Sequence, residues 1–340
     1  MWADIPEIMR ISRRQPLVSV IVASYNHADF AGAAISSVLG QSIKDIEVIV
    51  VDDGSSDGTP DVIDRLADHR LRVILVLHNR RVHPRNLALG LARGRYVAFQ
   101  NSDDVWAEGK LSQQLEVLEK DRRIVACFTG VDLIGPHDEP VTGSWANGLF
   151  CAENRTNAEW LRRFFDHGNC LCISSAVVRR RAVEDVGRFR AHLVNLGDLD
   201  LWIRLAAVGD FHVVASPLTR MRIIPERNIS RPAADIVRRA TMEYAEVLAR
   251  YAEPPACNRI LEAFPDILSQ HAQSLVAQLA GLAIYAWERS PAHYLFADRV
   301  LADILDNPRK REELAREFGA RTIHEFIRKR GEVQLDFIRD

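Results

Sequence analysis

Three acidic clusters stand where apolar runs stop: Asp52 and Asp53 in VVDDGSSDG, Asp103 and Asp104 in QNSDDVW, and Asp198 and Asp200 in NLGDLDLWIRLA. A carboxylate at a strand end can accept the N3–H of a uracil ring or hold a ribose hydroxyl, with Gly54 and Gly58 letting the chain turn. An Asx turn or a cap before Thr59 and Pro60 would use the same residues. Tyr25, in ASYN with Ser24 and Asn26, offers a ring face to a base, or a place in the core or rim. Asp103 and Asp104 can divide the work between a ribose and a hard cation, Mg2+ or Mn2+, that offsets the charge gathering on a diphosphate leaving group. The alternative is a capping pair before a helix. Asp198, at a helix start where unpaired N–H groups favour an anion, suits a general base that takes a proton from an attacking hydroxyl. Asp200 then aids helix entry. Trp202 shares an apolar face with Leu201, Leu205 and Ala206, and either packs there or lines an acceptor cleft. Arg85 can face a phosphate, with solvated surface the alternative for it and for Arg80, Arg81 and Arg93. His78 and His83 receive no role.

These clusters need a scaffold that brings them to one edge. The β-branched runs LVSVIVASY, IEVIVVDDG, LRVILVLH and RYVAFQNSDD read as strands, with helices between them from about Phe30 to Leu39, Thr59 to Ala67 and Pro84 to Ala92. Such alternation predicts right-handed crossovers and a doubly wound, mostly parallel α/β sheet flanked by helices. Ligands bind beyond the carboxyl ends of strands in such sheets, where SYN, DDGSSDG and NSDD all fall. Further on, a helix over 110–120, strands at IVACFTGVDLIG and LCISSAVVR, a helix over 198–208 and a strand at FHVVAS are expected, with 136–169 less regular. Beyond Pro232 the apolar spacing is helical. The expected organisation is an extension over 1–15, an α/β domain over 16–232, divided near 106 into two halves, and a C-terminal helical region over 233–340.

Composition sets the remaining bounds. With 340 residues, 47% hydrophobic and 26% charged, the chain suits one large domain or two. A formal net charge of −2 gives no whole-chain attraction to nucleic acid. The five cysteines, Cys127, Cys151, Cys170, Cys172 and Cys257, lack CxxC spacing and read as packed free thiols of a reducing compartment. The first residues contain no uninterrupted apolar segment of the signal-peptide kind, and the longest apolar stretch, Leu275 to Trp287, is too short to span a membrane.

The order ASYN, VVDDGSSDG, PRNLALGLARGRYVAF, NSDDVW and GDLDLWIRL resembles the family 2 inverting glycosyltransferases of GT-A fold, over about residues 16–232. The resemblance implies that Tyr25 and Asp53 contact the base, Asp103 the ribose or donor sugar, and Asp104 the metal, Mn2+ or Mg2+. Ser24, Asn26 and Arg85 complete the nucleotide-sugar set, Asp198 is the base, and Trp202 is the acceptor-side candidate. It further implies a nucleotide-diphosphate donor, UDP-linked by preference, and a glycan, lipid-linked glycan or protein acceptor, in surface polysaccharide or glycan synthesis of bacterial type. Two positions depart from the pattern. Asn101 replaces an acidic residue ahead of SDD, and Ile224 stands where many members carry a histidine that ligates metal or steadies the diphosphate.

A non-catalytic sugar-nucleotide module or scaffold subunit is the rival from another class, and joint retention of Asp53, Asp104 and Asp198 weighs against it. A nucleotidyltransferase or dehydrogenase would need a glycine-rich loop after the first strand, which is missing. The helical region is expected to pack on the domain or to form a homo-oligomer, with peripheral contact at a membrane's inner face as the lesser alternative to a wholly cytoplasmic protein.

Overall fold

The computed structural model describes residues 15–77, 83–150, 153–225, 227–268, 274–318 and residue 328. Arg80, Arg81, His78, Cys151, nearly all of the N-terminal extension and the last part of the helical region lie outside the described residues.

Apolar runs without alternation become strands covered on both faces. β1 (Val18–Ser24), β2 (Ile46–Asp52) and β4 (Tyr96–Asn101) are almost wholly buried, whereas β3 (Leu71–Leu75) is half-exposed at the sheet's edge. Between them run α1 (Ala31–Leu39), α2 (Thr59–Asp64) and α3 (Pro84–Leu91). β1 pairs parallel with β2 and β4 in a register that sets Ser24 against Asp52 and Ala23 against Asn101. That register carries the polar strand ends to one edge.

The second half adds β5 (Val105–Trp106), α4 (Lys110–Lys120), β6 (Ile124–Ile134), α5 (Asn157–His167), β7 (Val177–Arg179), α6 (Arg180–Asp185), α7 (Gly197–Ala206) and β8 (Asp210–Arg222). The eight strands form one sheet in the order β3-β2-β1-β4-β7-β6-β8-β5. β7 runs antiparallel to β4 and β6, and β5 antiparallel to β8; the other pairings are parallel. Only the last part of LCISSAVVR is strand. Ile173–Ser175 is a 3-10 turn because its serines bond elsewhere: Ser175 Oγ donates to the Cys172 carbonyl at 2.7 Å and Ser174 Oγ to Asp104. α5 emerges from the segment expected to be irregular. Its start is a capping box in which Thr156 and Glu159 satisfy each other's backbone N–H groups.

The C-terminal helices are α8 (Ala234–Leu248), α9 (Ile260–Ala263), α10 (Pro265–Leu268), α11 (Leu275–Ala286), α12 (Pro291–Asp306) and α13 (Pro308–Phe318). They share one hydrophobic core with the sheet's helical face. Phe165 of α5 is its hinge point, with the rings of Tyr251, Phe264 and Phe296 at 5.0, 5.1 and 5.6 Å. Tyr244 Oη donates to the Phe164 and Phe165 carbonyls. No helix among the described residues is long and apolar enough to cross a membrane.

Candidate active site

At the end of β2 the two aspartates part company. Asp52 is buried and closes the turn, accepting from Ser55 N–H at 2.8 Å and Ser55 Oγ at 2.6 Å. The following Gly54 lies at φ +74°, in the left-handed region. Asp53 is half-buried at the cleft, its N–H donating to the Ser24 carbonyl. The Asx-turn alternative therefore describes Asp52. Tyr25 keeps its ring 44% exposed at the mouth. Asn26 stitches the two loops, its N–H donating to Ser55 Oγ and its Oδ1 accepting from Ser56 N–H. Ser24 is buried, with its Oγ unpaired among the described residues.

Beyond β4, Asp104 is held on both oxygens. Oδ1 accepts the Arg222 N–H at 2.9 Å, and Oδ2 accepts Ser174 Oγ at 2.5 Å and Asn101 Nδ2 at 3.0 Å. Burial pushes Asp103 up to about 6; burial and the charge of Asp103 push Asp104 up to about 7. His27 Nε2 approaches Asp103 Oδ2 at 4.0 Å while its Nδ1 bonds Ser102 Oγ, and burial keeps its ring below the usual imidazole range. Asn101, where the resemblance led to an acid, donates to Asp104 and accepts from Arg85 Nη2 at 2.7 Å. It links the acid pair to the arginine.

Asp198 sits in the first turn of α7. Its Oδ1 accepts the Leu199 N–H and its Oδ2 accepts Asn169 Nδ2, both at 2.8 Å. Burial pushes its carboxyl up to about 6, against these hydrogen bonds and the pull of Arg85. The loop leading into α7 is fixed from afar by buried Glu243 of α8, whose carboxylate accepts the N–H groups of Val194, Asn195 and Leu196. Arg85 feels the charges of Asp198, Asp103 and Asp104 together. The partly buried guanidinium is anchored beside the acid pair through its bond to Asn101. His83, stacked on Phe189 at 5.2 Å, is pushed down to about 4 by burial and by Arg85, so it is neutral.

Three residues missed by sequence reasoning hold this arrangement. Arg222, 2% exposed, runs beneath the acid pair: its Nε donates to the Asp103 carbonyl at 2.8 Å, its Nη1 to the Gly135 and Pro136 carbonyls, and its Nη2 to Asp138. Asn169 and Glu243 are the others. The partners of all three lie far off in sequence, so no local pattern marks them.

Trp202 is a correction. It is 0% exposed, meets Phe128 edge-on at 4.9 Å, and packs in the core where no acceptor reaches it. Ile224 is likewise buried, and its N–H donates to Asn228 Oδ1 at 2.6 Å. No group of three or more His, Cys, Asp or Glu side chains is placed to hold a metal ion among the described residues. The adjacent carboxylates of Asp103 and Asp104 still suit a hard divalent cation. Burial raises both carboxyls, Asp104 Oδ1 keeps a lone pair beyond its bond from the Arg222 N–H, and a cation would relieve their mutual repulsion. Cys127, Cys170, Cys172 and Cys257 are buried free thiols.

A model of the family described as Glycosyl transferase family 2 matches residues 19–187. An Escherichia coli protein named UDP-Glc:alpha-D-GlcNAc-diphosphoundecaprenol beta-1,3-glucosyltransferase WfaP is 41% identical over 196 residues, which are 57% of this chain and 71% of that protein. The chain belongs to glycosyltransferase family 2. A Bacillus subtilis protein named for teichuronic acid biosynthesis as glycosyltransferase TuaG is 42% identical over 130 residues, 37% of this chain. The match spans about half of that relative's own length, 51%. Among solved structures, S. aureus TarS 1-349 in complex with UDP-GlcNAc is similar with a TM-score of 0.56 and 17% identity, over 92% of this chain and 91% of that one. This is a likeness of fold, in keeping with the GT-A arrangement of a mixed sheet flanked by helices. Within this family 2 glycosyltransferase, Asp53, Arg85, Asp103 and Asp104 lie inside the matched segment and Asp198 follows shortly after it.

Proposed function

We propose that the protein transfers a sugar from a nucleotide diphosphate, UDP by preference, to an acceptor hydroxyl with inversion at the anomeric carbon. The observation that carries this reading is that Asp103, Asp104 and Asp198 gather about Arg85, which is tied to the acid pair through Asn101 and feels the charges of all three. A carboxyl that titrates at about 6 is mostly ionised at pH 7 and can still accept a proton. In the proposed step Asp198 takes the acceptor hydroxyl's proton as that oxygen bonds to the anomeric carbon. The bond from that carbon to the diphosphate breaks on the opposite face, its electron pair leaving with the nucleoside diphosphate. Tyr25 and Asp53 hold the base, and Asp103 the ribose or donor sugar. Asp103 and Asp104 would hold Mn2+ or Mg2+, which when bound stabilises charge on the leaving diphosphate. Arg85 is placed to share that task.

The linkage in the name of the E. coli relative, a UDP-linked glucose donor with a beta-1,3 product, accords with this chemistry. The names of both relatives support a role in bacterial polysaccharide synthesis on a lipid-linked or glycan acceptor. A thermal-shift screen of UDP-, GDP- and dTDP-sugars with Mn2+, followed by NMR of the product's anomeric coupling, tests the reading. Stabilisation by UDP-sugars and a β-linked product from an α-linked donor are expected; an α-linked product would refute inversion.

A further inference from the structure

At the edge of the sheet opposite the active site lies a cavity of about 550 Å³, between α6, α7 and the segment after α8. Five guanidiniums line it, those of Arg179, Arg181, Arg190, Arg204 and Arg250, against the carboxylates of Asp185 and Glu253. One further acid, buried Asp200, stands behind them and is shared three ways. Arg204 grips it, Arg250 Nε lies at 3.1 Å and Arg190 Nε at 3.4 Å. Arg179 meets no carboxylate; its donors go to backbone carbonyls of residues 118, 121 and 124 and to the Tyr96 hydroxyl. Arg190 keeps both terminal nitrogens without a hydrogen bond among the described residues, and Arg181 is paired only at 3.6 Å with exposed Asp185. Among the groups named, five guanidiniums thus face three carboxylates, with Arg204, Arg250 and Asp200 on the buried side of a half-open cavity and Arg181 and Arg190 toward its mouth.

The place is distinct from the catalytic centre. Arg179 pairs with Tyr96, the first residue of β4, while the acid pair follows the last residue of that strand, roughly 15–20 Å away. The cavity is also joined to the base. Asp200 and Arg204 lie on α7 with Asp198, and Arg250 reaches them from the C-terminal region.

We propose that this cavity binds a phosphate-type oxyanion, a mono- or diphosphate, with Arg190 and Arg181 supplying the free donors. Guanidinium forks suit such anions through paired N–H···O bonds. The anion supplies the counter-charge that Asp200, Asp185 and Glu253 leave short.

The test uses the full chain with UDP and Mg2+ saturating, so that the donor site is filled. Its melting temperature is compared in sodium phosphate, sodium pyrophosphate and sodium chloride of equal ionic strength, and affinities are measured by calorimetry. Phosphate at ten times its Kd is expected to raise the melting temperature by about 2 °C over chloride. Arg190→Gln and the exposed Arg181→Gln are each expected to weaken phosphate binding at least about fivefold while leaving UDP affinity unchanged. A short isoprenyl diphosphate forms the last arm: binding at least about tenfold tighter than pyrophosphate assigns the anion to a lipid carrier, and equal binding assigns it to free phosphate. No phosphate-specific shift, or the same shift and affinity in both variants, would overturn the proposal. Loss of UDP binding in the wild type would instead count against the donor site.

Discussion

Asn169→Ala removes the one side-chain donor on Asp198 and is expected to displace the enzyme's acidic pH limb. The Nδ2–Oδ2 bond of 2.8 Å favours the ionised carboxylate. Hydrogen bonds to charged groups are worth about 1.5–3 kcal/mol, and 1.36 kcal/mol is one pKa unit, so the loss raises Asp198 by roughly one to two units. Starting from about 6, the base then titrates at roughly 7–8. The sign is fixed by the base role: activity requires the deprotonated form, so a higher pKa withdraws activity from the acid side. At pH 7 the ionised fraction drops from about nine-tenths to between a half and a tenth, a two- to tenfold fall in kcat. Near pH 9 the variant should recover most of its rate. A pH–kcat profile at saturating donor and acceptor measures this. If kcat falls by the same factor at every pH with the limb unmoved, Asn169 does not tune Asp198 and the assigned contact has no catalytic meaning.

Arg222→Met should lower stability by about 2–4 kcal/mol, read by urea unfolding, because it leaves the Gly135 and Asp103 carbonyls without their donor. Asp104→Ala is expected to abolish the Mn2+-dependent part of UDP binding in calorimetry; UDP affinity indifferent to Mn2+ in the wild type would refute the cation assignment. Phe165→Ala should cost about 3–5 kcal/mol and move a single unfolding transition, since its ring joins α5 to the C-terminal helices. Two separate transitions by calorimetry would contradict the shared core.

The parallel half of the sheet was legible because VSVIVAS, IEVIVVD and YVAFQN are strands buried on both faces, whose sequence needs no alternation. The polar residues at their ends then had to meet at one edge. What escaped notice depends on distant partners. β5 is two residues long and exists by pairing with β8, and Arg222 bonds the acid pair across more than a hundred residues of chain. The Thr156–Glu159 capping box was a local signal of α5 that went unused. Trp202 shows the limit of reading an aromatic near a base: helical periodicity set it on the apolar face, and that face points into the core. The pair Asp52 and Asp53 could not be divided from sequence, since only the Ser55 contacts reveal which one closes the turn.

Asp198→Asn tests the central claim most directly. The substitution keeps the side chain's size, and it removes a carboxyl whose proton is held more tightly folded than unfolded. That carboxyl's ionisation costs stability, with the penalty absent below about 3.8 and complete above about 6. The variant should therefore be more stable at pH 7–8, by about 1–3 kcal/mol. Measured side by side, UDP affinity by calorimetry and sugar transfer by single-turnover product formation should separate: binding unchanged within about twofold, transfer lost by at least a thousandfold. Transfer within about tenfold of wild type, with binding intact, would contradict the account and place the base elsewhere.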